Sequence, residues 1–320
     1  MEKGVEMDCS RRGFCLGALA MAGAAVLRAD EPYRYGGRTP ERSVVKGFFA
    51  GGGRMYCLSN RGFGQMLGTV FVSPEGRVAV VDGGDVADAE ALGKLLRDLG
   101  GVVERWFITH NHSDHWGALH GIMTRHPELK PTIKSLHYAF PPEDWFAQYE
   151  PDCNAPSRNF RGQLQQHKYW PHPLKKGEVY DLGGLTFEVL NDYDLSITRN
   201  ACNNSSICLS AKMGGKSILV TGDLGAEASD KLVREIPAKL PHDVVFMSHH
   251  GQFGASRAFY AAVKPKVAIW PTPDWLWDNV AFQGVRTAGS GTFQINYVKC
   301  WLQDLKVREQ YVCTRDWDFQ

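Results

Sequence analysis

The sequence predicts an α/β protein folded as a four-layer αβ/βα sandwich. Two stretches of the chain repeat one order of elements, in which short apolar strands accompany an amphipathic helix. A loop crowded with histidines follows the last strand of the first stretch. We therefore expect two sheets to pack face to face between layers of helices, with the histidines at one edge between the two halves.

The first stretch contains four predicted strands and one clear helix. Apolar runs place the strands at residues 51–58, 66–73, 77–81 and 102–108. Residues 86–99 form the helix, because their leucines share one face and Gly100 follows directly. A second helix is predicted to open at residues 116–119, just after the histidine-rich loop.

The second stretch has the same composition of elements. Its strands are predicted at residues 187–190, 207–213, 216–220, 243–247 and 267–270. An amphipathic helix at residues 226–236 separates the third of these strands from the fourth. Each half can thus cover one sheet face with helices and offer the other face to its partner.

Residues 109–115 (THNHSDH) crowd potential metal ligands into one short loop. The ligands are His110, His112, Asp114 and His115. A connection between a strand and a helix lets such side chains converge on one point. Lone histidines are usually ordinary surface or core residues, but three beside an aspartate indicate a metal site. Imidazoles with a carboxylate suit zinc, and also manganese or iron.

Three further motifs accompany the pattern His-x-His-x-Asp-His. Asp82 ends an aliphatic strand, Asp223 follows another after a glycine, and residues 249–251 read His-His-Gly. With these four motifs in order, residues 45–275 resemble the metallo-β-lactamase-fold hydrolase superfamily. The resemblance implies the sandwich fold described above and a metallo-hydrolase domain over residues 45–320.

The resemblance also implies two bound divalent metal ions, zinc first and manganese or iron as alternatives. The implied ligands are His110, His112, Asp114, His115, Asp223 and His250. The first two would hold one ion, Asp223 would bridge, and the others would hold the second ion. Asp82 would orient a ligand histidine. Asp114 is also a catalytic candidate, and His249 is another, either against the substrate or beside a ligand.

One family position differs in this sequence. Ahead of the bridging aspartate the family often has a histidine, and this chain has Cys202, followed by Asn203 and Asn204. The same departure is found in a branch similar to the hydrolase domain of bacterial DNA-uptake competence proteins. Cys202 is either a thiolate ligand or a small buried residue, and we favour the buried residue because free cysteine packs as a small hydrophobe.

An aromatic-rich insertion at residues 130–173 lies between the two halves. Members of the resembled superfamily commonly carry substrate-shaping elements at this point. A second aromatic set, Trp270, Trp275 and Trp277, follows the last motif. Both sets either line an active-site cleft or pack the insertions onto the sandwich.

The ligand set predicts a metal-dependent hydrolase that attacks with a hydroxide bound to two metal ions. The competence-type likeness favours a phosphoester substrate. A lactam, lactone or thioester hydrolase and a non-catalytic exported metal-binding protein are the alternatives. The charges, 36 Lys+Arg against 35 Asp+Glu, leave no net field for general nucleic-acid affinity. The expected partner is therefore a small-molecule or phosphoester substrate.

The N-terminus reads as a twin-arginine export signal over residues 1–29. Arg11 and Arg12 precede an apolar run of small residues at 17–27. This run is shorter than the roughly 20 residues that span a bilayer, so no membrane span would remain after cleavage. We expect the twin-arginine export machinery as a partner and a periplasmic or extracytoplasmic mature protein.

Replacing both Arg11 and Arg12 by lysine should trap the protein in the cytoplasm, because a twin-arginine signal is read through the arginine pair. Fractionation of expressing cells measures the effect. Lys3→Arg, which also keeps the charge, is the control and should leave export unchanged. Normal export of the double variant would show that the signal was misread.

Overall fold

Short segments of three to five residues form two seven-stranded sheets in the computed structural model, which describes residues 41–62, 64–278 and 294–320. The strands of the first sheet are, in spatial order, β1 (Arg42–Val45), β16 (Asp316–Phe319), β2 (Arg54–Cys57), β3 (Gly68–Val72), β4 (Val78–Asp82), β6 (Arg105–Ile108) and β8 (Leu136–Tyr138). Neighbours are antiparallel from β16 to β4, and parallel pairs flank them on both sides.

The second sheet mirrors this mixture of parallel and antiparallel pairs. Its strands are, in spatial order, β15 (Glu309–Val312), β14 (Val267–Trp270), β13 (Val244–Phe246), β12 (Lys216–Val220), β11 (Leu209–Met213), β10 (Leu185–Val189) and β9 (Val179–Asp181). Neighbours are antiparallel from β9 to β12 and parallel from β12 to β15. A small parallel pair joins β5 (Val102–Val103) to β7 (Thr132–Ile133).

Helices cover the outer faces of both sheets. The α-helices of the described residues are α1 (Ala89–Asp98), α2 (Ser113–Thr124), α3 (Glu143–Tyr149), α4 (Asn154–Gln166), α5 (Ala201–Asn204), α6 (Ala226–Glu235), α7 (Arg257–Val263), α8 (Asp274–Trp277) and α9 (Gln294–Asp304). Short 3-10 helices occupy Val86–Asp88, Pro127–Leu129, Pro151–Cys153, Pro237–Lys239 and Ser248–Gly251. None of these helices is long and apolar enough to cross a membrane, as far as the described residues go.

Three apolar layers hold the sandwich together. Between the sheets, the ring of Phe187 meets those of Phe71 and Phe107 at centroid distances of 5.3 and 5.0 Å. A second layer packs α1, α2 and α4 onto the first sheet, and a third packs α6, α7 and α9 onto the second. The order helix, sheet, sheet, helix confirms the predicted αβ/βα sandwich.

Two local predictions near the histidine-rich loop were wrong. Residues 102–108 form two strands instead of one, because Val102–Val103 turns away to pair with β7 while Arg105–Ile108 stays in the first sheet. Helix α2 begins at Ser113, before the predicted opening, so Asp114 and His115 lie in its first turn. A helix N-terminus favours an anionic side chain there, and Asp114 supplies one.

The aromatic-rich insertion forms α3 and α4, and its largest buried rings serve packing. Phe160 is fully buried and stacks on Trp116 at 4.5 Å. Phe146 is fully buried against Cys153 and Cys202. Beyond the insertion, Trp270 ends β14 and is buried in the apolar layer between the second sheet and its helices. For these rings the packing interpretation holds. The predicted export signal at residues 1–29 lies outside the described residues.

Phe187→Ala should lower the free energy of unfolding by about 3–5 kcal/mol, because it opens a cavity between the two sheets. Chemical denaturation at a fixed metal concentration measures the change. Trp170→Ala is the control, because Trp170 is 68% exposed and its loss should stay within about 0.5 kcal/mol. Equal stability of the two variants would contradict a core centred on Phe187.

Candidate metal centre

Parallel strand pairs in both sheets deliver the candidate ligands. Asp82 ends β4, and residues 109–115 directly follow β6 in the first sheet. Asp223 follows β12, and the 3-10 helix Ser248–Gly251 follows β13 in the second sheet. Because parallel neighbours present their carboxyl ends at the same edge, each sheet collects its polar groups at one place.

Four of the predicted ligands from both halves form one tight group. His115 Nε2 lies 3.2 Å from Asp223 Oδ1, and His250 Nε2 lies 3.3 Å from Asp223 Oδ2. Asp114 completes the group, with its Oδ2 3.0 Å from His250 Nε2. One donor atom of each residue lies within 4.8 Å of every other. Helix α2 and the loop after β13 thus meet around the carboxylate of Asp223.

The remaining two predicted ligands form another group beside it. Because the family resemblance assigns these two to the first ion, we call them the first donor group and the four-residue group the second. His110 Nε2 lies 3.1 Å from His112 Nδ1, and it lies 3.8 Å from Asp223 Oδ2. Cys202 joins these imidazoles, since its Sγ and one nitrogen of each lie within 4.8 Å of one another. Asp223 therefore stands between the two groups, where the sequence motif predicts the bridging carboxylate.

Unsatisfied buried atoms show that these residues fit metal ions. His115 Nε2, His250 Nε2 and Asp223 Oδ1 are buried, and no hydrogen bond satisfies them. They face one another at short distances without hydrogen-bond geometry. Leaving several polar atoms buried and unpaired is costly, and coordination of a cation would satisfy all three.

Outer hydrogen bonds fix the orientation of the ligand imidazoles. His115 Nδ1 lies 2.8 Å from Asp82 Oδ2, and Asp82 also accepts hydrogen bonds from the backbone N–H and hydroxyl of Thr109. His250 Nδ1 lies 2.9 Å from the carbonyl oxygen of Pro271. These contacts leave the Nε2 atoms turned toward the groups. Asp82 thus lies where the sequence predicts a residue that orients a ligand.

Charged imidazoles keep the carboxylates of Asp223 and Asp114 ionised. Burial alone would raise the pKa of Asp223, but the imidazoles of His250 and His115 outweigh it and hold that pKa well below its usual range. Asp114 behaves in the same way, since His115 and His250 lower its pKa against the effect of burial. Burial, together with the charge on His115, holds the pKa of His110 well below its ordinary value, so this imidazole stays neutral.

A strained turn presents His250. His249, His250 and Gly251 all adopt positive φ, at 51°, 54° and 86°. A side chain at position 251 would collide with the ring of Trp270, at 2.6 Å, so only glycine fits. Left-handed conformations at non-glycine residues are costly and cluster at functional sites. The turn carries His250 Nε2 into the group.

His249 lies outside both groups. Its Nδ1 is 2.7 Å from the carbonyl oxygen of Gln252, inside the same turn. Its ring centroid is 6.2 Å from that of His250. His249 therefore lies beside a candidate ligand. Its contact with a substrate stays a prediction.

Two residues near the site were not predicted. Glu150 Oε1 lies 3.4 Å from His112 Nε2, and Cys153 completes a third group with His112 and Glu150 within 4.8 Å. Both belong to the aromatic-rich insertion and follow α3: Glu150 comes directly after it, and Cys153 ends the 3-10 helix Pro151–Cys153. Nothing in their local sequence marks them, because only the packing of α3 against α5 brings them to His112.

A family model of known proteins matches the part of the chain that carries the candidate ligands. The model of the family described as Metallo-beta-lactamase superfamily matches residues 68–271. The chain belongs to the metallo-beta-lactamase superfamily. The match spans β3 to β14, which includes every candidate ligand in both groups. The family predicted from the four motifs is thereby confirmed, together with its hydrolase-like fold.

Relatives of this superfamily member carry competence or recombination names. It is 26% identical over 219 residues to Recombination protein 2 of Haemophilus influenzae, covering 66% of this chain and 24% of that protein. It is 28% identical over 163 residues to ComE operon protein 3 of Bacillus subtilis, covering 51% and 19%. Competence protein ComA of Neisseria gonorrhoeae is 30% identical over 112 residues, covering 34% and 16%. The matched part thus spans a quarter or less of each relative, and these relatives support the predicted likeness to the competence-type branch.

Solved structures share the fold. The metallo-beta-lactamase fold protein YhfI from Bacillus subtilis superposes with a TM-score of 0.50 at 11% identity, covering 83% of this chain and 100% of that one. A mutant of the CmlA beta-hydroxylase gives 0.50 at 15% identity, covering 83% and 53%. At these identities the likeness concerns the fold alone.

Asp82→Asn should weaken metal binding roughly 10–100-fold, because it removes the anion that orients His115. Competition with a chromogenic chelator measures the affinity. Asp98→Asn, at an exposed position near the end of α1, is the matched control and should bind as the wild type does. An unchanged affinity in Asp82→Asn would show that the contact with His115 plays no part in metal binding.

Proposed function

We propose that this protein is a metal-dependent hydrolase that holds two divalent ions and acts on a phosphoester. The observation that carries the proposal is the pair of donor groups that share Asp223. The superfamily fold typically binds two metal ions, and the candidate His and Asp ligands of this chain form the corresponding site. The buried unsatisfied atoms of the second group support the presence of a cation there.

Each donor group would hold one of the two ions. His110 Nε2 and His112 Nδ1 would hold the first ion. Asp114, His115 and His250 would hold the second, and Asp223 would face both. Two ions so held lower the pKa of a bound water toward about 7 and neutralise charge that develops on the attacked group.

Asp114 is the most exposed side chain of its donor group. Its side chain is 21% exposed, whereas those of Asp223, His115 and His250 are at most 2% exposed. The side chain of His112 in the other donor group is 25% exposed, so a substrate would reach the site at Asp114 and at His112. From this position the carboxylate would offset metal charge and orient the attacking oxygen. Asp223, buried behind it, fixes the spacing of the two groups.

A phosphoester suits this site for two reasons. Its anionic oxygens complement two adjacent cations, which is the arrangement of many enzymes that cleave phosphoesters. The relatives with competence or recombination names also point to a phosphodiester, although this chain spans only part of their length. A lactam, lactone or thioester is the alternative substrate class, because the same nucleophile attacks each of them.

The proposed site of action is periplasmic or extracytoplasmic. The arginine pair and the apolar run within residues 1–29 support export through the twin-arginine machinery. That machinery carries folded proteins, so the metal ions would be acquired before export.

Metal content combined with a substrate panel tests the proposal. Metal-replete protein should contain close to two divalent ions per chain by elemental analysis, and it should hydrolyse a chromogenic phosphodiester faster than a chromogenic lactam. Hydrolysis of the lactam alone would show that the substrate is a lactam and not a phosphoester. Bound ions without any turnover would favour a non-catalytic metal-binding protein, and one ion or none would contradict the dinuclear site.

Asp114→Asn should reduce turnover at least about 10²-fold with the fold intact, because it removes an anion next to the reacting oxygen while keeping the side-chain shape. Steady-state kinetics with the best substrate of the panel measures the loss. Asp152→Asn, at an exposed position on the insertion, is the control and should retain full activity. Near-full turnover in Asp114→Asn would refute the assigned role.

A further inference from the structure

The thiol of Cys202 is placed among the imidazoles of the first donor group. The residue lies on α5 (Ala201–Asn204) and is fully buried. Its Sγ and one nitrogen each of His110 and His112 lie within 4.8 Å of one another. This thiol therefore packs against Phe146 and Cys153 and also lies beside two candidate metal ligands.

Other buried cysteines of the described residues show that burial alone does not produce this placement. Cys208 is equally buried, and its Sγ lies 3.8 Å from the carbonyl oxygen of Thr221 on the neighbouring strand. Cys57 is buried beside Cys313. Neither belongs to a group of potential metal ligands within the described part of the chain. Cys202 is therefore distinguished from these two by its partners and not by its burial, and Cys153 shares only His112 with it.

The carboxylate of Glu150 ties Cys202 to the first group. Glu150 Oε2 accepts a hydrogen bond of 2.8 Å from the backbone N–H of Cys202, while its Oε1 lies 3.4 Å from His112 Nε2. One side chain thus fixes both the backbone that carries the thiol and the outer nitrogen of the imidazole. Ser205 holds the same turn from the other side, since its hydroxyl donates to the carbonyl oxygen of Cys202 at 2.6 Å.

The first group is short of protein donors without this thiol. The second group offers four donor residues, whereas the first otherwise has two imidazoles and a share of Asp223. Protein zinc sites usually hold four ligands, and a thiolate is a strong and selective one. A thiolate also disfavours manganese and magnesium, which prefer oxygen ligands.

We propose that Cys202 binds the first ion as a thiolate, which makes this position a zinc site with nitrogen, sulfur and oxygen ligands. The proposal rests on the two-ion site of the proposed function and replaces the interpretation of Cys202 as a packing residue only. When the sulfur–metal bond forms, the thiol releases its proton to solvent and no electron is transferred. Cys153 and Phe146 pack against the thiol from the side of the insertion.

Cobalt substitution tests the proposal directly, because a thiolate bound to Co²⁺ gives a sulfur-to-metal charge-transfer band. The wild-type protein loaded with Co²⁺ should show this band. Cys202→Ser should lose it and should bind the first ion at least about 10-fold more weakly. Cys202→His, which supplies the imidazole of the wider superfamily, should restore two-ion binding without the band.

Two control variants separate Cys202 from its neighbours. Cys208→Ser removes a thiol that is equally buried but lies outside the donor groups, and it should retain the band and both affinities. Cys153→Ser removes the thiol on the outer side of His112, and it should retain the band as well. Circular dichroism confirms that each variant is folded.

The outcomes distinguish this inference from the proposed function. Two cobalt ions bound to the wild type without a charge-transfer band would overturn the thiolate ligand and leave the two-ion site in place. A band that disappears in Cys153→Ser but persists in Cys202→Ser would assign the sulfur to the other cysteine and overturn the proposal. A wild type that binds no ions would overturn both.

Discussion

Asp223 follows strand β12 inside the protein, where its carboxylate faces the imidazoles of His115 and His250 from opposite halves of the sandwich. A buried carboxylate is tolerated only when charge and hydrogen bonds compensate it. The first half supplies His115 on α2, and the second supplies His250 on a strained turn. The site therefore forms only when the two sheets pack together, because neither half can satisfy the carboxylate of Asp223 alone.

The aromatic-rich insertion adds a third contributor to this arrangement. Its buried rings anchor α3 and α4, and its polar groups, Glu150 and Cys153, reach the outer side of His112. The candidate ligands of the second donor group come from the two halves of the common fold, whereas the surroundings of the first donor group depend on this insertion. Differences between this chain and other members of the superfamily should therefore concentrate at the first ion.

The sequence predicts most of the fold and the residues of both donor groups, because short aliphatic strands that stop at a polar residue are local patterns. Glu150 is not predictable in this way, since its contact with His112 depends on how distant helices pack. Cys202 shows the same limit, because its type is compatible with packing and with ligation, and only the convergence with His110 favours ligation. Strands β1 and β16 were also missed, since pairing with each other and with β2 defines them.

The position of β16 links synthesis of the chain to completion of the first sheet. This strand lies between β1 and β2, and Asp318 accepts two hydrogen bonds from the guanidinium of Arg54, 264 residues earlier. The first sheet stays incomplete while residues 316–319 are still within the ribosome. Until then β1 and β2 lack the strand that pairs between them, and the sheet has an open edge. Such edges invite aggregation during translation. Insertion of β16 between β1 and β2 is therefore the event that removes this open edge.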